Sequence, residues 1–436
     1  NFCLLTKIIH INIKYILKKY RILIFSIIAI VVIVISFSST SIVQTFFAQK
    51  IANSINKQYG TELEISRAEL DYSGKIDLND FLIRDHKNDT LIYFNSFYLS
   101  PTSLRKVLSA DFNFSSLSLE GVNLNIYKYL NDYQTNLEIF INKISIENKK
   151  SLKKSDLNYL INTIESSNTI IKFKDFNKSN KLIVFSDLNF LFKDFQFIDN
   201  DLKFEIKNLN LKNNYELDLN NLSSFFSYSN RKILFKDSKI ELGRSNINAD
   251  IEFDFSKIMN MNSQEISDSL LFEFNLKNSK IITSDFNSFY NKISNAYVSR
   301  WTLSGDFKGT LNDLSLTNIL LYNEGNKISF NSSFINLFST NNDYNLTVDF
   351  KKIDTSSEIV NLIFPQIFGT VIPSSLKNLG RFSLDGVAKI NSNQVESDFD
   401  LKVNQGSIKS LLKISELSKI DNAVYEGSIK GFNFDL

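Results

Sequence analysis

Over most of the chain, apolar and polar residues alternate with a period of two. The clearest runs are Leu117-Ser-Leu119, Leu217-Asp-Leu219, Ile251-Glu-Phe253-Asp-Phe255, Phe272-Glu-Phe274-Asn-Leu276, Leu346-Thr-Val348-Asp-Phe350 and Phe399-Asp-Leu401-Lys-Val403. Successive side chains of a strand point to opposite faces, so each run predicts a strand with one apolar and one wetted face. In the body after residue 61, helical candidates are few: Thr102–Ala110, Leu137–Ile144, Leu152–Ser166, Asp285–Ile293 and Ser356–Phe364. These segments do not alternate regularly with strands, which predicts antiparallel strands in sequence and no parallel βαβ sheet. Glycines recur inside strand patterns at Gly121, Gly305, Gly386 and Gly427, where a bulge or bend is expected. About twenty strands spaced ~4.8 Å apart would extend on the order of 100 Å. Such a sheet must close, pair with a second sheet as a filled sandwich, or curl around an open apolar trough. Alternation alone is compatible with all three.

The N-terminal region has a different pattern. Val43, Phe47, Ile51, Ile55 and Tyr59 recur every fourth residue, with Phe46 alongside and Gly60 as a stop. That is a one-sided amphipathic helix over 44–60, expected to pack its apolar stripe on the first strands; lying at a membrane surface is the other use of such a stripe. Before it, Ile22 to Phe37 contains no charge, Pro or Gly, with Ser26 and Ser36 as its polar residues. Extended through Ser38–Ser41 to Val43, the run reaches the about 20 residues that cross a bilayer. Lys14, Lys18, Lys19 and Arg21 precede it, with no acidic residue in the first 21. The positive-inside rule then predicts a cytoplasmic tail (1–21), a single-pass anchor (22–43), the helix (44–60) and a body beyond the membrane (61–436). A cleaved signal peptide fits less well, since its apolar core spans about 7–15 residues and ends at a small-residue site. The chain starts at Asn1 and stops at Leu436 inside an alternating pattern, and a fragment open at both ends is expected.

Charge sharpens this division. The whole chain is +2, but Lys7, Lys14, Lys18, Lys19 and Arg21 precede the anchor, leaving 44 basic against 47 acidic residues, or −3, in the rest. A body without basic excess does not fit nucleic-acid binding. The lone cysteine, Cys3, permits no internal disulfide. The abundance of Asn, Ile, Lys and Phe reads as compositional bias, and the Asn runs are given no special role. Of two histidines, His10 falls on the cytoplasmic side; His86, between Asp85 and Lys87, reads as a solvated turn residue. No G-x-S-x-G, P-loop or G-x-G-x-x-G motif occurs. No enzyme, metal or cofactor is expected.

One set of motifs points further. Gln49-Lys-Ile-Ala-Asn-Ser-Ile-Asn-Lys-Gln-Tyr-Gly-Thr-Glu-Leu-Glu-Ile follows the apolar run. Then come Asp85-His-Lys-Asn-Asp-Thr-Leu-Ile-Tyr93 and Leu119-Glu-Gly-Val-Asn-Leu-Asn-Ile-Tyr127. Trp301-Thr-Leu-Ser-Gly-Asp-Phe-Lys-Gly-Thr-Leu and Ile372-Pro-Ser-Ser-Leu-Lys-Asn-Leu-Gly380 lie in the body. In this order they resemble the TamB and AsmA-like family, in the form seen in Bacteroidetes-type members, over nearly the whole chain; the family's C-terminal domain is not visible. The resemblance implies a mostly β protein: a transmembrane helix in the bacterial inner membrane, then a long curled antiparallel sheet in the periplasm forming an open apolar groove, with a few short helices. It implies a bridge for phospholipids between inner and outer membranes, or alternatively a scaffold for outer-membrane protein assembly with a BamA-like barrel partner. A passive structural β-protein is a third class. On the bridge reading the groove is lined collectively by Ile251, Phe253, Phe255, Phe272, Phe274, Leu276, Leu346, Val348, Phe350, Phe399, Leu401 and Val403.

Overall fold

The computed structural model describes residues 28, 40–103, 113–148, 158–177, 181–199, 201–214, 218–258, 268–286, 299–336, 343–363, 366–367, 370–371, 380–417 and 423–433. The chain is mostly β. Twenty strands are hydrogen-bonded into one sheet, and a two-residue hairpin, Gln366–Ile367 with Thr370–Val371, stands apart. The chain divides into two compact units: residues 1–155 with 166–182, and 156–165 with 183–436. Among the described residues no helix is long and apolar enough to cross a membrane. The expected anchor, 22–43, falls almost wholly outside the described residues.

The first unit opens with helix α1 (Ser41–Tyr59), closed by Gly60 in the left-handed region at φ 61°, a conformation that costs glycine least. Strands β1 (Glu62–Leu70), β2 (Ile76–Arg84) and β3 (Thr90–Pro101) follow as an antiparallel meander. Beyond β3, its two halves take different partners. Strand β4 (Asn113–Glu120) pairs with Ser96–Pro101, whereas β5 (Asn123–Lys128) pairs with Ile92 and Tyr93. Helix α2 (Asn136–Asn148) then leads towards β6 (Tyr159–Asp175), whose second half runs parallel to β5. This parallel pair departs from the all-antiparallel expectation. A helix-containing connection is what lets a chain return in the same direction. An apolar row, Leu63–Ile83–Ile92–Leu124–Ile171, crosses β1, β2, β3, β5 and β6 in register. Beside it Phe81 and Phe94 stack with ring centroids 4.5 Å apart.

The way α1 meets β1 corrects one expectation. The helix does not bury its apolar stripe on the strands. It turns a polar stripe to the free edge of β1. The Gln44 side chain bonds both the N–H and the C=O of Leu70, Thr45 does the same for Ala68, and Asn56 for Leu63, while Gln49 donates to the Ile65 carbonyl. Residues 45, 49, 52 and 56 recur at helical spacing on one face, with Ala52 buried between them. A helical turn rises 5.4 Å and two strand residues about 6.6 Å, so side chains one turn apart stay near alternate peptide groups of the strand. These amides and the hydroxyl take the place of a neighbouring strand, and an edge that could template pairing is covered. Ile42, Phe46, Phe47 and Ile51 are left exposed, at 83, 53, 57 and 62 %.

The second unit is a single antiparallel meander after the first half of β6. Its strands are β7 (Ile183–Ile198), β8 (Asp201–Asn213), β9 (Leu219–Ser229), β10 (Lys232–Leu242), β11 (Ser245–Asp254), β12 (Leu271–Ile282), β13 (Arg300–Gly309), β14 (Leu314–Asn323), β15 (Asn326–Ile335) and β16 (Asn345–Ser356). The helix α3 (Ser357–Ile363) and the hairpin β17–β18 (Gln366–Ile367, Thr370–Val371) intervene before β19 (Arg381–Asn391), β20 (Gln394–Val403), β21 (Gly406–Ser415) and β22 (Val424–Phe432). From β7 onward each sheet strand pairs with the next one.

Every pairing from β9–β10 to β16–β19 carries a register shift, whereas β19 to β22 pair without one. Asn and Asp in the left-handed region occupy several of these bulges: Asp237, Asn278 and Asn318, the non-glycine residues that tolerate it best. The Asn content is therefore not bias alone. Side chains satisfy the backbone groups that the bulges release from the ladder. Asp237 N donates to Asp250, Asn248 N to the Ser279 hydroxyl, Asn278 N to Ser304 and Asn318 N to Asn331. Ser279 is fully buried and returns its own proton to the Asn248 carbonyl. Each bulge adds local right-handed twist and bends its strand.

Helices appear at Asn136–Asn148 and Ser357–Ile363, near two of the predicted places, and Thr283–Phe286 is a single 3-10 turn. Residues 104–110 and 287–293 of the other candidates lie outside the described residues. Leu152–Ser166 is not a helix where it is described, because β6 begins at Tyr159. Ile161 and Ile164, three apart, mimic helical spacing, yet both are buried on a strand, so cross-strand pairing overrides the local period.

Candidate functional site

The pairing registers connect the predicted positions across strands. One row runs Phe197, Leu202, Tyr228, Ile233, Phe253, Phe272, Gly309, Leu314, Phe334, Leu346, Ile390, Val395, Ile414, Tyr425. It takes one residue from each of the fourteen strands β7–β16 and β19–β22 of the second unit, and Gly309 is its single side-chain gap. Two residues along each strand a parallel row begins with Phe204, Phe226, Phe235, Ile251, Phe274, Phe307 and Leu316, and continues through Val348 and Leu412 with serines and Ala388 between. Aromatic contacts knit the rows together. Phe204 lies 4.6 Å from Phe226, Phe226 5.1 Å from Phe235, Phe253 5.6 Å from Phe274 and Phe272 5.2 Å from Phe274, centroid to centroid. Such pairs add stability beyond simple burial.

All twelve residues singled out from alternation fall on this one face. Ile251, Phe253, Phe272, Phe274, Leu346 and Val348 sit in the two rows; Leu276, Phe350, Phe399, Leu401 and Val403 pair in register beside them. Phe255 lies just past the end of β11, with its ring 6.5 Å from that of Phe253. Their burial is unusual for a core. Each of the twelve is partly exposed and none is fully buried. The fully buried side chains nearby are small or sit at the bulges, as with Ser238, Ala249, Ser279 and Ile319. Gly386 shows why a strand can come so close: a Cβ there would lie 2.2 Å from the Asp398 carbonyl oxygen, and its φ of 145° disfavours any side chain.

The opposite face of these strands is charged. Lys232 pairs with Glu252 at 3.0 Å and Lys308 with Glu273 at 2.9 Å; Lys277 pairs with Asp250, and Lys409 and Lys413 with Asp400 and Glu396. The Lys277 ammonium holds Asp250 below the usual carboxylate range, against the opposing effect of burial. Exposed pairs of this kind add little stability. They keep that face wet, and the apolar face is the chemically distinctive one.

The first unit holds a separate polar cluster, built on the Asp85-His-Lys-Asn-Asp89 turn between β2 and β3. Asp85, 8 % exposed, accepts from the backbone N–H groups of Lys87 and Asp89, from Asn136 Nδ2 at 2.8 Å and from the Tyr129 hydroxyl at 2.7 Å. Burial is the largest influence on Asp85 and pushes its pKa up. The donors of Asn136, Tyr129, Lys87 and Asp89 outweigh it and hold the carboxyl below its usual value. Burial and the Asp85 and Asp89 carboxylates push the Tyr129 phenol well up, so it stays a donor. His86 is not the solvated turn residue expected. Its ring is mostly buried, its Nε2 lies 2.9 Å from Asp132, and it stands edge-on to Tyr129. The motif spacing Asp-x-x-x-Asp was visible in the sequence; its partners just after β5 and at the start of α2, some forty to fifty residues away, were not. Among the described residues no group of three or more His, Cys, Asp or Glu is placed to hold a metal.

Fold and site together define a class: a mostly β chain whose long meander carries a row of mainly apolar residues across fourteen strands. Comparison with family models, curated proteins and solved structures finds no match to the chain.

Proposed function

We propose that this chain is an inner-membrane-anchored periplasmic bridge that carries phospholipids between the two membranes of a bacterial envelope along the apolar face of its sheet. The observation that carries this reading is the row from Phe197 to Tyr425, apolar on thirteen of fourteen strands, with none of its residues fully buried. At ~4.8 Å per strand it offers a path of roughly 60 Å. Each acyl CH₂ removed from water contributes about 0.8 kcal/mol, so a two-chain lipid is held strongly against escape. Successive strands offer nearly the same side chains, so a step from one level to the next changes little. Strong retention with weak preference for any one level suits a slide better than a pocket. The motif resemblance to TamB and AsmA-like proteins supports the same reading, as do the run 22–43 and the basic residues before it.

The test is a photo-crosslinking amino acid at Phe274 in the full chain, followed by mass spectrometry of what it captures from cells. Phospholipid adducts are expected at Phe274 and not at Glu273 on the charged face. Phe274→Glu is expected to abolish lipid capture at neighbouring levels while circular dichroism keeps its strand signal. Equal capture from both faces, or none from either, would sink the proposal.

One observation favours a second reading, a scaffold that pairs with client strands. Strand β22 has a partner only on its β21 side among the described residues, and every residue from Val424 to Phe432 is exposed. An unpaired edge can accept an added strand. Such a scaffold would be indifferent to Phe274→Glu.

A further inference from the structure

Among the described residues, the side of α1 that carries Phe46, Phe47 and Ile51 is left exposed, and the geometry says why the helix cannot turn it towards β1. The helix is locked in rotation by the hydrogen bonds of Gln44, Thr45, Gln49 and Asn56 to β1. At about 100° per residue, Thr45, Gln49 and Asn56 lie on the side opposite Val43, Phe47 and Ser54, and Gln44 lies at its flank. Turning the apolar residues inward would break every edge bond. Two observations identify what covers the exposed side. The uncharged apolar run Ile22–Phe37 lies immediately upstream in the chain, so whatever that run enters is close to the start of α1. In addition, α1 contains Lys50 and Lys57 and no acidic residue, and the Lys50 ammonium lies over the Phe46 ring, 4.8 Å from its centre. Aromatic and aliphatic residues beside basic ones are the composition of a helix lying in a bilayer interface and favouring anionic headgroups.

We propose that α1 lies flat in the headgroup–acyl boundary of the bilayer, with Phe46, Phe47 and Ile51 among the acyl chains and its Gln–Thr–Asn stripe holding β1 at the lipid surface. This rests on the membrane-anchored reading and goes beyond it: a plain tether would leave α1 in water. The first strand of the sheet would then start within one helix diameter of the lipid, with no aqueous gap to cross.

The full chain, carrying Cys3→Ser, is reconstituted in nanodiscs of phosphatidylcholine with phosphatidylglycerol. Nitroxide labels are placed singly at Val31, Phe47, Ile51 and Tyr133 through cysteine substitutions. Phe47 and Ile51 are exposed and outside the edge bonds, so their replacement leaves the fold intact. Collision with oxygen is expected to exceed collision with a water-soluble nickel chelate at Val31, and to a lesser degree at Phe47 and Ile51; at Tyr133, 97 % exposed, the order is reversed. A lipid-like Val31 with Phe47 and Ile51 as accessible to nickel as Tyr133 would overturn the inference and leave the anchor standing. A water-exposed Val31 would overturn both.

Discussion

Asp85 illustrates how much a single buried carboxylate organises. Four donors converge on it from its own turn, from β5's downstream tyrosine and from the start of α2. Its pKa is lowered from 3.8, so the folded state binds its proton more weakly than the unfolded chain does. Its contribution to stability is therefore complete above the ordinary aspartate value and is lost as pH falls through the lower folded one. Hydrogen exchange of the β2–β3 turn, corrected for the intrinsic pH dependence, should show protection that is steady at neutral pH and declines below about pH 4. Asp85→Asn should remove most of that decline and weaken the turn by about 1–3 kcal/mol at pH 7, the cost of spoiling buried hydrogen bonds. A turn whose protection is equally pH-dependent in both proteins would rule this role out.

Among the elements, α1 has the most consequential placement. A helix serving as the neighbour of an edge strand works only while its polar side chains keep both donors and acceptors. Thr45→Val together with Asn56→Leu removes four of the seven edge bonds without touching the exposed apolar side. The expected result is a chain that still forms its strands but associates through β1, seen as a concentration-dependent increase in mass by light scattering, because an uncovered edge templates pairing. A variant that stays monodisperse would show that the bonds are incidental. The same helix measures how far the sequence could be read. Its existence and Gly60 as its stop follow from spacing alone, although it begins at Ser41 and not at residue 44. Which face turns inward does not, because Val43, Phe47 and Ile51 at i+4 look like any packing stripe. The answer lies in Gln44, Thr45, Gln49 and Asn56, whose value depends on a strand edge that local pattern does not reveal. The twelve face residues were legible for the opposite reason: with a period of two, the apolar set of each strand shares one face, and burying that face selects the register. The bulges were half legible. Gly305 marks one, but Asp237, Asn278 and Asn318 look like ordinary polar strand residues until pairing shows that an extra residue must be accommodated.

At the scale of the molecule, function on the bridge reading belongs to a row and not to a residue. A row interrupted anywhere is interrupted everywhere downstream, so the site of a block should not matter. Glutamate in place of Phe274 on β12, Leu346 on β16 or Val395 on β20 should each reduce lipid passage to a similar extent, although these strands are far apart in sequence. Passage measured between donor and acceptor membranes checks this directly. A graded series, with one substitution severe and the others mild, would indicate a local binding pocket instead.

Among the described residues, α1 covers the outer edge of β1, whereas β22 is paired on its β21 side alone. A ladder stoppered at one end can gain rungs only at the other. Duplicating a hairpin in the β19–β22 region, where strands pair without bulges, would add length and leave the α1 end untouched. On the bridge reading, length could thus be adjusted to the distance to be spanned without redesigning the attachment, much as a ladder is extended from its free end.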